Sequence, residues 1–461
     1  MSVKSGVTDA FASIGHDLHR FVGDLYPICR SITGNGLRET LASVAKHIQL
    51  DIREIPTGTR VLDWTVPKEW NVTDAYVRNS AGERVVDFRR SNLHVLNYST
   101  PVDQTMSLAE LRNHLFTIAE HPDWIPYRTS YYKPSWGFCL TQRQLDALPD
   151  GNYDVRIDST LEDGFLTYGE CYLEGETSDE ILISSHACHP SLANDNLSGV
   201  AIATFVAKHI AAQERRYSYR FLFIPGTIGS ITWLALNEDV TRNVKHGLVL
   251  ACLGDRGRST YKRSRRGDAE IDRAATHVLL HRGDHDVQDF EPYGYDERQF
   301  CSPGFDLPVG CLMRTPHGRY PEYHTSADDL TFVDPAALRD SFTKCVSILE
   351  VLEGNRTFFN LNPKGEPQLG RRGLYSFIGG GVGRQRNEMA LLWVLNLSDG
   401  RHSLLDIAER AALPFETVRA AAEILEAHGL LREERLPARR GGGTSATPPV
   451  RTTRRADPST R

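Results

Sequence analysis

Apolar runs of strand length alternate with apolar stripes of helical spacing between residues 170 and 355. Val200–Ile210, for example, has the spacing of a buried helix and follows an apolar run that ends in a polar turn. This rhythm is typical of βαβ units and predicts an α/β fold with a doubly wound, mostly parallel sheet. Residues 1–55, which contain two helical stripes, are assigned to the same domain. The predicted strands are Glu180–Ser184, Tyr219–Ile224, Gly247–Leu253 and Leu307–Met313.

Two further regions break this rhythm. Residues 56–169 are rich in Pro, Gly, Tyr and Trp and carry short β-like runs, which predicts a mostly β domain inserted into the α/β domain. Residues 386–435 contain three helical segments in the order of a winged helix. Between them, residues 356–385 are glycine-rich and predict a linker, whereas the Arg/Thr/Pro-rich residues 436–461 predict a disordered tail.

Composition narrows the classes of protein. The chain of 461 residues is 40% hydrophobic, which suits a globular protein of two or three domains. No apolar run reaches membrane-spanning length, and the polar N-terminus does not resemble a secretion signal. The 8 cysteines form no CxxC pair and predict reduced thiols. We therefore expect a cytoplasmic protein without a membrane partner.

Charge bears on nucleic-acid binding. The net charge of −6 gives no overall basic surface for DNA or RNA. The third helix of the winged-helix segment, where DNA contacts would lie, carries Glu416, Arg419, Glu423 and Glu426 and is net acidic. We favour a packing or dimerisation role for this segment, and a dimerisation role would make the protein a homo-oligomer. The alternative is a DNA-binding regulator.

Polar residues follow the predicted strands of the α/β domain. His186 and Asp195 lie between the strand that ends near Ser184 and the next helix, and Asp255 and His324 lie in loops after later strands. Ligands of open α/β sheets bind at the carboxyl ends of strands. Two imidazoles and two carboxylates suit a hydrolytic zinc site with an open position for water. The structural alternatives are a polar turn for the histidines and a helix cap for Asp255.

These motifs resemble those of the zinc aminopeptidases of the bacterial leucyl aminopeptidase type. The matching segments are HAC around His186, ANDNLSG around Asp195, LGDR around Asp255 and YHTSAD around His324. Over residues 15–435 the chain more closely resembles bacterial aminopeptidase-like proteins with a β insert and a C-terminal winged helix, which often accompany polysaccharide or natural-product biosynthesis. The segments of this longer match are RSITG, DWTVPKEW, TSYYKPSWGFCL, SSHACHPSLANDNLSG, TIGSI, SPGFDLPVG and PEYHTSADDL.

The resemblance implies a zinc-exopeptidase-like fold, a site for one or two zinc ions and hydrolysis of an amide bond. It implies that His186 and Asp255 hold one metal, that His324 holds the other and that Asp195 bridges them. The expected substrate is a peptide or an aminoacyl small molecule.

One departure puts catalysis in question. The relatives have a glutamate in PETIGSI, whereas this chain has Gly226. Loss of a general base costs about 10²–10⁴-fold in rate. Either another carboxylate substitutes, with Glu297 and Glu322 as candidates, or the protein is a degenerate relative that binds a metal or ligand. Cys188 also replaces an aspartate that orients the ligand histidine, and a thiol is a weaker partner.

Basic residues supply the last candidates. The stretch 262–266 reads KRSRR. We predict that Lys262, Arg265 and Arg298 bind a carboxylate of the substrate, with a solvated charged face as the alternative. The predicted function is a zinc-dependent, aminopeptidase-like hydrolase.

Overall fold

Nineteen strands and thirteen α-helices lie in residues 11–374 and 382–434, the part of the chain that the computed structural model describes. None of these helices is both long enough and apolar enough to cross a membrane. The strands are β1 Asp51–Pro56, β2 Arg60–Val61, β3 Trp64–Thr65, β4 Glu69–Arg78, β5 Arg84–Asp87, β6 Val102–Ser107, β7 Leu115–Phe116, β8 Phe138–Cys139, β9 Asn152–Glu162, β10 Phe165–Leu173, β11 Glu180–His186, β12 Ser218–Ile224, β13 Val244–Leu250, β14 Ser259–Lys262, β15 His285–Gln288, β16 Val309–Met313, β17 Thr357–Asn360, β18 Asp399–Ser403 and β19 Leu431–Glu433. The helices are α1 Ile14–Leu25, α2 Asn35–Val44, α3 Leu108–Leu111, α4 Gln142–Asp146, α5 Gly199–Ala211, α6 Ile228–Leu236, α7 Glu238–Thr241, α8 Glu270–His281, α9 Glu297–Phe300, α10 Pro335–Gly354, α11 Val382–Leu397, α12 Leu404–Ala411 and α13 Phe415–Ala427.

The α/β domain is built on an eight-stranded sheet. Its strand order is β1-β10-β12-β11-β13-β16-β14-β15. The four inner strands β12, β11, β13 and β16 are mutually parallel, and each corresponds to one of the four predicted strands. The predicted α/β fold with a mostly parallel sheet is therefore confirmed.

Strand β11 is buried on both faces because its side chains alternate between two apolar layers. Ile181 and Ile183 pack in the layer that contains α1, α5 and α10, whereas Leu182 packs in the opposite layer with Trp233 of α6. Strand β11 ends at His186, beside the carboxyl ends of its parallel neighbours β12 and β13, where ligands of open α/β sheets bind.

The inserted segment is mostly β, as predicted. Its main sheet has the antiparallel order β5-β4-β9-β6, and two further pairs, β2 with β3 and β7 with β8, complete it. Strand β10 spans the predicted boundary after residue 169, because it begins at Phe165 and pairs with β1 and β12 of the large sheet.

The C-terminal unit has the winged-helix arrangement that was predicted. Helices α11, α12 and α13 pack with a three-stranded sheet of order β18-β17-β19. Its central strand, β17, lies within residues 356–385, which were predicted to be a linker. The local sequence does not reveal this strand, because its partners β18 and β19 lie at least 39 residues further along the chain. The triple glycine at 379–381 and the predicted disordered tail 436–461 lie outside the described residues. Arg273 of α8 pairs with Asp406 and Glu409 of α12, which ties the unit to the α/β domain.

Candidate metal centre

The centre begins at the last residue of β11. His186 pairs with Ile224 of β12 and has a buried side chain. The chain then passes through an irregular turn, Ala193–Ser198, in which Asp195 has non-helical backbone angles, before α5 begins at Gly199. The turn places the Asp195 side chain back over the end of β11.

Asp195 lies between two histidines. Its Oδ1 is 3.0 Å from Nε2 of His186, and its Oδ2 is 3.0 Å from Nε2 of His324. Burial opposes ionisation of Asp195, but the contacts with His186 and His324 outweigh it and hold the pKa of this carboxyl well below its usual range. The carboxylate is therefore ionised and presents one oxygen to each imidazole.

A third histidine, His189, joins this group. Metal-binding atoms of His186, His189 and Asp195 all lie within 4.8 Å of one another. Burial lowers the pKa of His189 to about 3, so its imidazole is neutral, as a metal ligand must be. Arg30, which is fully buried, donates a hydrogen bond of 2.8 Å to the His189 carbonyl and fixes that part of the loop. His189 was not predicted from the sequence, although its spacing from His186 in HACHP was a usable signal.

The unsatisfied atoms of the group fit a metal ion. Within the described residues, Nδ1 of His189, Nε2 of His324 and Oδ2 of Asp195 are buried and make no hydrogen bond. The latter two atoms are close to each other, but not in the geometry of a hydrogen bond. Buried polar atoms normally have hydrogen-bond partners. A nitrogen and an oxygen that lie close together without a hydrogen bond can instead share a bound cation. Imidazole nitrogens and carboxylate oxygens are the donors that zinc takes in hydrolases.

Aromatic rings hold the three imidazoles in place. Tyr295 stacks on His186 with ring centroids 5.0 Å apart, and Tyr323 stacks on His324 at 4.0 Å. Tyr127 lies edge-on to His324 and His189, at 5.0 and 5.1 Å. The rings enclose the centre on several sides, whereas the His324 side chain remains 34% exposed. The side of His324 is therefore open to solvent.

Two further polar side chains hold the turn. The buried Asp328 accepts hydrogen bonds from the backbone N–H groups of Asn194 and Asp195, at 2.6 and 2.9 Å. The Asn196 amide donates to the Leu250 carbonyl at 3.0 Å and accepts from the backbone N–H of Cys252 at 3.0 Å. These bonds connect the turn to the end of β13 and fix the direction of the Asp195 carboxylate.

The structure does not bring Asp255 into this group. Its Oδ1 accepts hydrogen bonds from the Gly257 N–H at 2.7 Å and from the Thr315 hydroxyl at 2.6 Å. Its Oδ2 accepts from the amide of Asn194 and from the Thr315 N–H, both at 3.2 Å. Strand β13 ends at Leu250 and not at Leu253, so Asp255 lies further along the loop than predicted. The carboxylate connects three loop segments through these hydrogen bonds.

The predicted base Glu297 and the predicted substrate ligand Lys262 contact each other. They form a buried ion pair, and Lys262 also donates a hydrogen bond of 2.7 Å to the Tyr293 carbonyl. Both side chains are buried, and neither Glu297 oxygen makes a hydrogen bond within the described residues. The roles of Glu297 as a base and of Lys262 as a substrate contact remain predictions.

The other three candidates lie at different depths. Arg265 pairs with Asp306 at 2.8 Å on the surface. Arg298 is partly buried, and its Nε makes no hydrogen bond within the described residues. Glu322 lies two residues before His324 and is partly buried. Like His324, Glu322 is not in the group of His186, His189 and Asp195, whose metal-binding atoms all lie within 4.8 Å of one another.

Gly226 borders the centre and faces Asp296, a carboxylate that was not predicted as a site residue. A Cβ at position 226 would lie 3.3 Å from Cβ of His186 and 3.5 Å from Oδ2 of Asp296. Burial raises the pKa of Asp296 to about 6. Cys188 lies on the other side of this position, with its Sγ 3.9 Å from the Gly226 carbonyl oxygen, and burial raises the pKa of its thiol to about 12. The thiol is therefore neutral and a weak partner.

Two family models match the chain. Residues 19–355 match a family described as a domain of unknown function, DUF4910, and residues 356–433 match a winged helix-turn-helix family. Together they cover both the α/β region with its insert and the C-terminal unit. The second match begins at β17 and thus includes that strand in the winged-helix domain.

Similar proteins come from bacteria. A protein of Clostridium acetobutylicum, provisionally assigned to polysaccharide biosynthesis and named for an aminopeptidase-like domain, is 54% identical over 419 residues, which cover 91% of this chain and 96% of the relative. A crystal structure of a provisionally assigned peptidase from the same species is 51% identical and has a TM-score of 0.88, covering 93% of this chain and 99% of the other. A zinc aminopeptidase from Bacillus subtilis shares the fold at 10% identity, with a TM-score of 0.54 over 74% of this chain and 94% of the other.

Proposed function

The chain belongs to the DUF4910 family, and we propose that it is a zinc-dependent hydrolase that cleaves an amide bond in a peptide or an aminoacyl small molecule. One observation carries the proposal: each oxygen of the Asp195 carboxylate is 3.0 Å from Nε2 of a different histidine. A carboxylate shared between two imidazoles is the arrangement that a co-catalytic metal site needs.

His186, Asp195 and His324 would hold the metal, with His189 as a further donor and with one or two ions in the site. Zinc, when bound, polarises the substrate carbonyl and lowers the pKa of water. The protein itself orients the imidazoles through the stacked Tyr295 and Tyr323 rings. The partly exposed side of His324 gives the substrate its way in.

The name of a relative and the basic residues near the site both bear on the class of substrate. The Clostridium relative is named for polysaccharide biosynthesis, which supports an aminoacylated small molecule over a long protein chain. Lys262 is already neutralised by Glu297 and contributes little free charge to the cleft. Arg298, whose Nε makes no hydrogen bond within the described residues, is the basic residue that we retain as a contact for a substrate carboxylate.

A packing role is proposed for the winged-helix domain. The side chains of Phe415 and Arg419 on α13 face the end of α10, since a Cβ at Gly354 would lie 3.2 Å from the Phe415 ring and 3.0 Å from Cδ of Arg419. The helix that would enter DNA in other winged helices is thus partly covered by the α/β domain. This contact and the acidic character of α13 favour a protein partner over nucleic acid.

Metal content and hydrolysis together test the proposal. The full-length protein, purified without added metal and then after zinc loading, is measured by elemental analysis and assayed with aminoacyl-p-nitroanilides and dipeptides at neutral pH. We expect one or two zinc ions per chain and turnover that is lost after chelation and regained with zinc. Zinc-loaded protein that cleaves no amide in the panel would instead support the degenerate relative.

A further inference from the structure

A buried carboxylate, that of Asp296, lies beside the metal centre and forms no ion pair within the described residues. Asp296 directly follows Tyr295, whose ring stacks on His186. It also directly precedes α9, where an aspartate usually caps the helix, yet its side chain makes no capping hydrogen bond. The carboxylate instead turns to the Ser230 hydroxyl, which is 2.8 Å from Oδ1.

The glycine at position 226 leaves this carboxylate facing the centre. A Cβ there would lie 3.5 and 3.7 Å from the two oxygens of Asp296 and 3.3 Å from Cβ of His186. Any side chain at this position would therefore stand between the histidine and the aspartate. Because residue 226 is glycine, no side chain separates them.

No cation of the described residues forms an ion pair with Asp296. The adjacent Glu297, by contrast, is paired with Lys262. An ionised carboxylate without a paired cation remains able to accept a proton. Glu297 is buried but paired with Lys262, Asp255 is buried but held by loop hydrogen bonds, and Glu322 is only partly buried. Asp296 is buried, borders the space next to His186 and has neither an ion pair nor such a network within the described residues.

We propose that Asp296 is the general base of this site, a role that rests on the proposed hydrolase function. Its carboxylate takes a proton from the attacking water while the water oxygen bonds to the amide carbon. The same proton passes to the amine nitrogen as the C–N bond breaks, which leaves a carboxylic acid and a free amine. Ser230, through its hydrogen bond, is a positioning residue for this carboxylate.

The test compares Asp296→Asn with Asp289→Asn, the same change at an exposed aspartate paired with Arg263. Zinc affinity is measured by competition with a chelator, and kcat is measured on the substrate that the wild-type protein cleaves best. We expect Asp296→Asn to lower kcat by about 10²–10⁴-fold while its zinc affinity and melting temperature stay close to those of the control. An unchanged kcat, or a loss of zinc, would overturn the assignment.

A second pair of variants keeps the test sharp. Gly226→Glu places a new carboxylate in the same space, so it should restore part of the activity of Asp296→Asn but give no gain in the wild-type background. If Asp296→Asn fails to fold, Ser230→Ala should still lower kcat with little change in KM. A large gain for Gly226→Glu in the wild-type background, or full activity of Ser230→Ala, would contradict the proposal.

Binding of an amino-acid hydroxamate gives a readout that needs no turnover. A hydroxamate gives up a proton when it binds zinc, so Asp296→Asn should weaken hydroxamate binding more than binding of the parent amino acid. Equal weakening of both ligands would overturn the role of Asp296 as the base but would leave the proposed hydrolase function standing. A wild-type protein that holds zinc but neither cleaves an amide nor binds the hydroxamate would overturn the proposed hydrolase itself.

Discussion

Two groups of buried charged residues lie in the α/β domain, and they differ in the side chains that surround the carboxylate. Asp195 lies between imidazoles, with Oδ1 3.0 Å from Nε2 of His186 and Oδ2 3.0 Å from Nε2 of His324. Glu297 forms an ion pair with the Lys262 ammonium, although neither of its oxygens makes a hydrogen bond within the described residues. An imidazole can offer a lone pair to a metal ion, whereas an ammonium has none and already neutralises its carboxylate. We therefore propose the first group as the metal site.

The largest expected effect concerns the histidine group. Asp195→Ala removes the carboxylate that lies 3.0 Å from both imidazoles. We expect zinc content to fall to background and the rate to fall by about 10³-fold or more, since a metal supplies several kcal/mol to the reaction. Elemental analysis and initial rates measure both. Stoichiometric zinc in the variant would show that the Asp195 group is not the metal site, and it would then not differ in this respect from the Glu297 group.

Breaking the ion pair between Lys262 and Glu297 should lower the stability of the protein but leave its zinc content unchanged. Lys262→Met leaves the Glu297 carboxylate buried without its partner, which costs about 3–5 kcal/mol of unfolding free energy. The double variant Lys262→Met/Glu297→Leu should regain most of this loss, because no unpaired charge remains. Urea unfolding measures the free energies, and zinc content serves as the control. A selective loss of zinc in the double variant would show that the pair belongs to the site.

The smallest effect is expected at Asp255. Its two oxygens accept hydrogen bonds from Asn194, Gly257 and Thr315, so Asp255→Ala should cost about 1–3 kcal/mol of stability. Zinc content should stay at the wild-type level, in contrast to Asp195→Ala. Thermal unfolding and elemental analysis of the two variants in parallel check this. Loss of zinc from the Asp255 variant would restore it as a ligand.

The sequence predicted the parts of the fold that depend on local pattern. The four parallel strands follow from apolar runs bounded by turns, and motifs at their ends predicted His186, Asp195 and His324, which the structure places next to one another. Strand β17 could not be predicted in the same way, because its partners β18 and β19 lie far along the chain. The large sheet was therefore predictable, whereas the boundary of the winged-helix domain was not.

The directions of side chains could not be predicted from the sequence, and they separate neighbouring residues of the candidate site. Asp296 and Glu297 are neighbours, and only the structure shows that one faces Gly226 while the other is held by Lys262. Asp255 follows a strand that ends earlier than its apolar run. Such differences arise from contacts between distant segments, which the spacing of residues in one segment does not encode.

The position of the metal can be measured by anomalous X-ray diffraction at the zinc absorption edge, on crystals of the zinc-loaded protein. We predict anomalous density between Asp195 and the imidazoles of His186 and His324, for one ion or two. Zinc density at Lys262 and Glu297 or at Asp255, or no zinc density beside Asp195 in crystals whose protein contains stoichiometric zinc, would contradict the assignment of the site.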